Sequence, residues 1–241
     1  MRVVVLAWVI AVSMGCASLD GEELGVIETQ ESFNRWSYEI TDDVDRAVLK
    51  PAAKGYQALT PQFLEDGIGN VFQNLRTVAS SANGFLQGKP GAGVEDFARF
   101  LVNTTIGIGG FFDPATRMNL TYQEEDFGQT LAVWGWRKSR FIYVPFMGPT
   151  TLRDLPSTLI RGYIPRLILG DAYHWSFSLV DLVDTRAGLL TSTDLRDASA
   201  LDPYTFTRDA YIQRRKYLVY DGELPLDDLF DDFDDEDYEE D

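Results

Sequence analysis

Histidine and cysteine are nearly absent from this chain: His174 and Cys16 are the only ones in 241 residues. A zinc site would have to be assembled from one imidazole and carboxylates, an unusual ligand set. Nucleophilic catalysis is equally short of parts. The sequence has no GxSxG elbow, and a Ser–His–Asp arrangement has only His174 to draw on. That histidine reads instead as a half-exposed member of an aromatic cluster beside Trp175. The glycine run Gly107-Ile108-Gly109-Gly110 has no strand before it and no Lys-Ser/Thr after it, so it is not a phosphate-cradling loop. These absences point away from an enzyme and from a metal or other cofactor.

Long apolar runs are missing too. Past the first residues, no segment reaches the ~18 uninterrupted apolar positions of a transmembrane helix. The best two, 97–112 and 157–169, are interrupted by Arg99 and by Arg161-Gly162. Amphipathic helices lying in one leaflet and buried helices of a soluble domain both fit that pattern. With 45% hydrophobic and 13% aromatic residues, the chain has the material for a packed core and is not disordered as a whole.

The cysteine gains meaning from its position. Arg2 precedes a twelve-residue apolar stretch, Val3 to Met14, followed by Gly15 and Cys16. This is a short charged region, a core too short to span a bilayer, and a small residue at the cut. A lone thiol in an exported protein forms no internal disulfide. At this junction Cys16 reads as the acylated residue of a bacterial lipoprotein, with Ser13 where a leucine is usual. Several acyl chains, at about 0.8 kcal/mol per buried methylene, make such a tether effectively permanent. Ala17 in place of Asp at the next position favours the outer membrane.

The net charge of −17 is not spread evenly. Thirteen of the 38 acidic residues fall in 221–241, which has no basic residue, so residues 1–220 carry 25 acids against 21 bases. The acidic end reads as a solvated tail. Between Thr130 and Arg166 the sign reverses: Arg137, Lys138, Arg140, Arg153, Arg161 and Arg166 face only Asp154. Interleaved with Trp134, Trp136, Phe141, Tyr143 and Phe146, these cations suit a lipid headgroup layer. Nucleic acid is a poor partner for an exported, acidic chain.

Helical periodicity dominates the rest. Phe33, Trp36, Ile40, Val44 and Val48 recur at three- to four-residue spacing up to Pro51. Thr60-Pro61 opens a segment running to Leu86, and Gly88-Lys89-Pro90-Gly91 stops it. An apolar stripe follows from Val94 into the glycines at 107, 109 and 110, and Asp113-Pro114 starts a short helix. Further helices are predicted near 151–161, 175–191 and 203–219. The stretch 140–147 has extended character, but Pro145 demotes it from a central strand. The fold class is all-α.

The run FARFLVNTTIGIGGFFDPA (97–115) closely resembles the signature of the MlaA family, also called VacJ lipoproteins. Other blocks agree in order: ESFNRWSYEI (31–40), NVFQNLR (70–76), GFLQGKP (84–90), EDFGQTLAVWG (125–135), VPFMGPTTLRD (144–154), VDTRAGLL (183–190) and DPYTFTRDAYIQRRKY (202–217). The likeness spans about residues 31–223. It implies a ring of amphipathic helices around a central amphipathic channel, lying in the inner leaflet of the outer membrane, with a short irregular segment at 136–147. It implies a non-enzymatic role: passing mislocalised phospholipids from the outer leaflet to a soluble periplasmic carrier, in company with a trimeric porin. A structural porin-associated lipoprotein that moves no lipid is the alternative. On this reading 1–15 is the signal peptide, 16–30 a polar tether, 31–220 the helical domain and 221–241 a disordered acidic tail.

A phospholipid conduit needs an apolar wall with cations or amide donors where the phosphate passes. Within the matched blocks the polar candidates for the channel are Asn34, Arg35, Arg99, Asn103, Arg153, Asp154 and Arg186. Each also has a structural reading, as a cap or an ion-pair partner. Phe97, Phe100, Leu101, Phe111 and Phe112 suit a rim facing acyl chains, and the glycines at 107, 109 and 110 suit tight turns or close helix approach. The chain departs from the family after Trp134-Gly135, where Trp136-Arg137-Lys138-Ser139-Arg140 replaces a glycine-rich turn.

Overall fold

Helix α1 (Glu23–Val44) runs without a break into a π-helical turn, Asp45–Leu49, and on into α2 (Lys50–Leu59) in the computed structural model, which describes residues 23–170 and 174–224. Cys16, the predicted signal peptide and all but the first four residues of the acidic tail lie outside the described residues. The π-turn sits directly before Pro51, which has no N–H to give the preceding turn; the wider winding absorbs the missing bond and the helix continues. Helicity beginning at Glu23 places the second half of the segment 16–30 in α1.

Thr60 is extended, as a residue before proline prefers, and α3 (Gln62–Leu86) starts after Pro61. Gly88 turns the chain and α4 (Pro90–Thr105) returns along α3. The stop at 88–91 is thus only a corner. Small and polar groups join this pair: Ser81 Oγ donates to Gly93 O at 2.7 Å and Ser80 Oγ to Asp96 Oδ2 at 2.5 Å. Beyond α4, Gly109 and Gly110 take positive φ of 70° and 92°, so the glycine run is a tight loop. Asp113 caps the short α5 (Pro114–Arg117) and Asp126 caps α6 (Phe127–Val133), each through a backbone N–H three residues on.

Residues 141–151 form a hairpin, β1 (Phe141–Val144) paired antiparallel with β2 (Gly148–Thr151), in the register Phe141↔Thr151 to Val144↔Gly148. Pro145 lies in the turn, where its missing donor costs nothing, so only the second half of the 136–147 segment departs from the irregular conformation expected of it. The remaining helices are α7 (Leu155–Leu169), α8 (His174–Gly188), α9 (Leu190–Ser199) and α10 (Pro203–Val219). The sequence periodicity predicted a single helix over 175–191 and gave no sign of α9.

Tyr38, Tyr143 and Tyr204 meet edge-on, with centroids 5.4 and 5.6 Å apart, and lock α1, β1 and α10 together. Ala53, Ala187 and Leu190 close a second small cluster between α2, α8 and α9. Most of the fully enclosed volume is polar, however. The largest side chains with under 2% exposure are Gln129, Thr130, Thr150, Asp96, Ser37 and Ser80. Large apolar groups lie outside instead: Trp36 is 52% exposed, Phe63 65%, Phe97 52% and Trp175 76%. No helix of the described residues is long and apolar enough to cross a membrane.

Candidate functional site

A cavity of about 260 Å³ opens where α3, α7, α10 and the segment 122–127 meet. The geometry starts from Asp126 and Asp154. Asp126 is fixed by capping α6, and Asp154 is held at the start of α7 by Thr151 Oγ1 at 2.8 Å. Between them stands Arg215 of α10. Its guanidinium donates to Asp126 Oδ2 at 2.5 Å and to Asp154 Oδ1 at 2.8 Å. Burial disfavours the Arg215 charge, but the two carboxylates, Asp126 first, outweigh it and raise its pKa. Burial likewise pushes the Asp154 carboxyl up, while Arg215 and Arg153 pull it down further and leave it below the ordinary value. Burial, then Glu124 nearby, pushes the Tyr122 hydroxyl in the wall up to about 12.

Nearly every lining charge is matched. Glu124 pairs with Arg214 at 2.7 Å, Glu125 with Lys89 at 2.8 Å, and Arg76 with Asp181. Arg161, on α7, differs. Its side chain is open to solvent, and it makes no hydrogen bond or ion pair with the described residues. Partial loss of hydration beside the cavity walls lowers its pKa, the Arg76 charge acts in the same direction, and Asp181 and Glu124 oppose them. Phe127, Met147 and Ile160 give the cavity apolar wall as well. No cluster of His, Cys, Asp and Glu that could hold a metal ion occurs among the described residues.

Of the seven polar candidates from the sequence, only Asp154 lines this cavity. Arg153 lies behind it, donating to Asp154 Oδ1 at 3.0 Å and to Arg137 O at 2.9 Å; its own backbone N–H donates to Ser139 Oγ at 2.9 Å. Arg153 therefore staples the 136–140 turn. Asn34 Oδ1 accepts the Tyr143 N–H at 2.9 Å, and Arg35 pairs with Asp202 at 2.8 Å while stacking over Tyr204. Arg99 and Asn103 converge on Asp113 at 2.9 Å each, and all three line a narrow polar cleft between α3 and α4. Arg186 holds Asp45 of the π-turn in a two-point pair at 2.6 and 2.7 Å. These six are engaged in structural contacts. The side chain of His174 is outside the described residues.

The sequence reading missed Arg76, Tyr122, Arg161, Tyr211 and Arg215 as cavity residues. A signal was present for one face: Asp154, Ser157, Thr158 and Arg161 follow helical spacing, a polar stripe on an apolar helix.

Fold and site together define a mostly helical protein with many large apolar side chains on its outside and a charged, half-apolar cavity. Residues 28–218 match the family model described as MlaA lipoprotein. The chain belongs to the MlaA lipoprotein family. It is 34% identical over 232 residues to the intermembrane phospholipid transport system lipoprotein MlaA of Escherichia coli K12, covering 93% of this chain and 91% of that one. The protein of the same description from Haemophilus influenzae is 32% identical, over 82% of this chain and 81% of its own. A solved structure reported as "Structural basis for maintenance of bacterial outer membrane lipid asymmetry" superimposes with a TM-score of 0.68 at 32% identity, covering 78% of this chain and 97% of that one.

Proposed function

We propose that this protein is an outer-membrane lipoprotein, acylated at Cys16, that withdraws mislocalised phospholipids from the outer leaflet and so maintains lipid asymmetry. It acts without catalysis. Its helices form a ring lying in the inner leaflet, and lipid passes through the interior to a soluble periplasmic carrier, with a trimeric porin as its membrane companion. The observation that carries this reading is the inverted distribution of side chains. An ordinary soluble domain buries its large apolar groups; here Trp36, Phe63, Phe97, Ile106, Ile108 and Trp175 face outward while Gln129, Thr130, Asp96 and Arg99 are enclosed. Such a surface is satisfied by acyl chains and the interior by a lipid's polar end. Family membership supplies the transport role.

The test is outer-leaflet phospholipid in a deletion strain complemented with the wild-type gene or with Cys16→Ala. Accumulation on deletion, cleared by the wild type and not by Cys16→Ala, is the expected result. No accumulation, with the envelope intact, would favour a structural lipoprotein instead.

A further inference from the structure

The unmatched charge in the cavity is the feature that the fold does not explain. The other arginine and lysine side chains described in the cavity or directly behind it are committed: Arg76 to Asp181, Arg215 to Asp126 and Asp154, Arg153 to Asp154, Lys89 to Glu125. Arg161 alone among the described lining residues has a guanidinium with no carboxylate, carbonyl or hydroxyl bonded to it; the Arg76 charge acts on it most strongly, with Asp181 and Glu124 pulling the other way without bonding it. A guanidinium that lines a cavity, is exposed to solvent and has no bonded partner keeps its donors available for an arriving anion.

Resting on the conduit reading above, we propose that Arg161 is the phosphate-binding residue of the passage, engaging the phosphodiester of a glycerophospholipid as it moves through the cavity. Three further observations agree. Ser157 lines the same cavity one turn earlier on α7 and offers a hydroxyl donor to the same anion, while Thr158 beside it donates back to Asp154 O. Ile160, Phe127 and Met147 provide apolar wall for the acyl ends. The cavity carboxylates are already neutralised, so they do not repel an arriving phosphate. Arg76 lies close enough to Arg161 to add a second positive field without leaving Asp181.

The experiment uses the full-length protein purified from membranes as wild type, Arg161→Gln and Arg161→Lys. Each is stripped of lipid and then exposed to vesicles carrying phosphatidylglycerol or diacylglycerol of the same acyl chains. Arg161→Gln should cut retained phosphatidylglycerol by about tenfold, the loss of one charge-assisted contact, and leave diacylglycerol unchanged. Arg161→Lys should keep most of the phosphatidylglycerol. Equal retention of phosphatidylglycerol by wild type and Arg161→Gln would overturn the inference and leave the conduit reading intact, as would equal loss of both lipids. A wild type that retains neither lipid would overturn the conduit reading, and this inference with it. Inorganic phosphate is the third probe. If it binds in an Arg161-dependent way while lipid retention ignores Arg161, the site serves a free anion and the lipid assignment fails.

Discussion

Arg215 and Asp154 face each other in a two-point pair, Nε to Oδ2 at 3.0 Å and Nη2 to Oδ1 at 2.8 Å, which ties α10 to the start of α7 across the cavity wall. Both side chains are at least nine-tenths buried. The same guanidinium holds Asp126, so one cation joins three elements. Arg215→Ala should therefore cost about 3–5 kcal/mol, the usual result of leaving buried carboxylates without their partner. A double-mutant cycle with Asp154→Ala, read by thermal unfolding in detergent, should show strong coupling. Costs that simply add would mean the pair is not coupled.

Acid should weaken the fold through the same carboxylate. The Asp154 pKa is raised by burial and lowered more by Arg215 and Arg153, so the folded value lies below the ordinary 3.8. The stabilisation from its charged form is complete above the unfolded value and is lost as pH falls through the folded one. Asp202, brought down to about 2 by Thr205 and then Arg35, acts in the same direction at a more exposed site and contributes less. Stability should drop between the ordinary value of 3.8 and about 2, and Asp154→Asn should flatten that limb. An unchanged acid limb in Asp154→Asn would assign the transition to other groups.

Gly128 is where the wall comes closest to the ion pair. A Cβ there would overlap Asp154 Oδ1 and lie 2.9 Å from Arg215 Nη2. Gly128→Ala is expected to destabilise by about 1–3 kcal/mol, the usual cost of overpacking. Gly55→Ala in α2, with open space around it, should instead stabilise by up to ~1 kcal/mol through helix propensity. Melting temperatures of the two variants should move in opposite directions.

The cations of the 136–140 turn separate binding from folding. Arg137, Lys138 and Arg140 are exposed, next to Trp134 at 58% and near Phe146 at 67% exposure. The turn is held by Arg153 rather than by these side chains. Replacing all three with Gln should alter stability by less than about 1 kcal/mol yet reduce lipid clearance from the outer leaflet. Arg153→Ala should do the reverse first and lower the melting temperature. Unaltered clearance in the triple variant would remove the turn from the transport path.

The match of sequence to structure varies with the range of the interactions involved. Helix α3 was legible because Thr60-Pro61 marks its start, and α4 because an apolar stripe follows from Val94, although Pro90, read there as part of a stop, is in fact its first residue. The hairpin at 141–151 was only half legible. Its proline argued against a strand, and what rescues it is a turn geometry with Phe146 and Gly148 at positive φ. Helix α9 was invisible because Leu189 and Leu190 continue the apolar pattern of α8, and a single turn residue, Leu189, is all that separates the two helices.

Local pattern alone determined the mostly helical class and, through its ordered blocks, the family. Those properties depend on nearest neighbours, helical phase and identity, which a linear chain displays. Which charges are spoken for was decided by the tertiary structure only. Arg186 meets Asp45 across 141 positions and Arg215 meets Asp126 across 89, so nothing local marks them as paired or Arg161 as unpaired. Arginines that look alike in the sequence become structural or available according to what the fold brings within reach, because Coulombic pairing acts over a few ångströms of space and takes no account of separation along the chain.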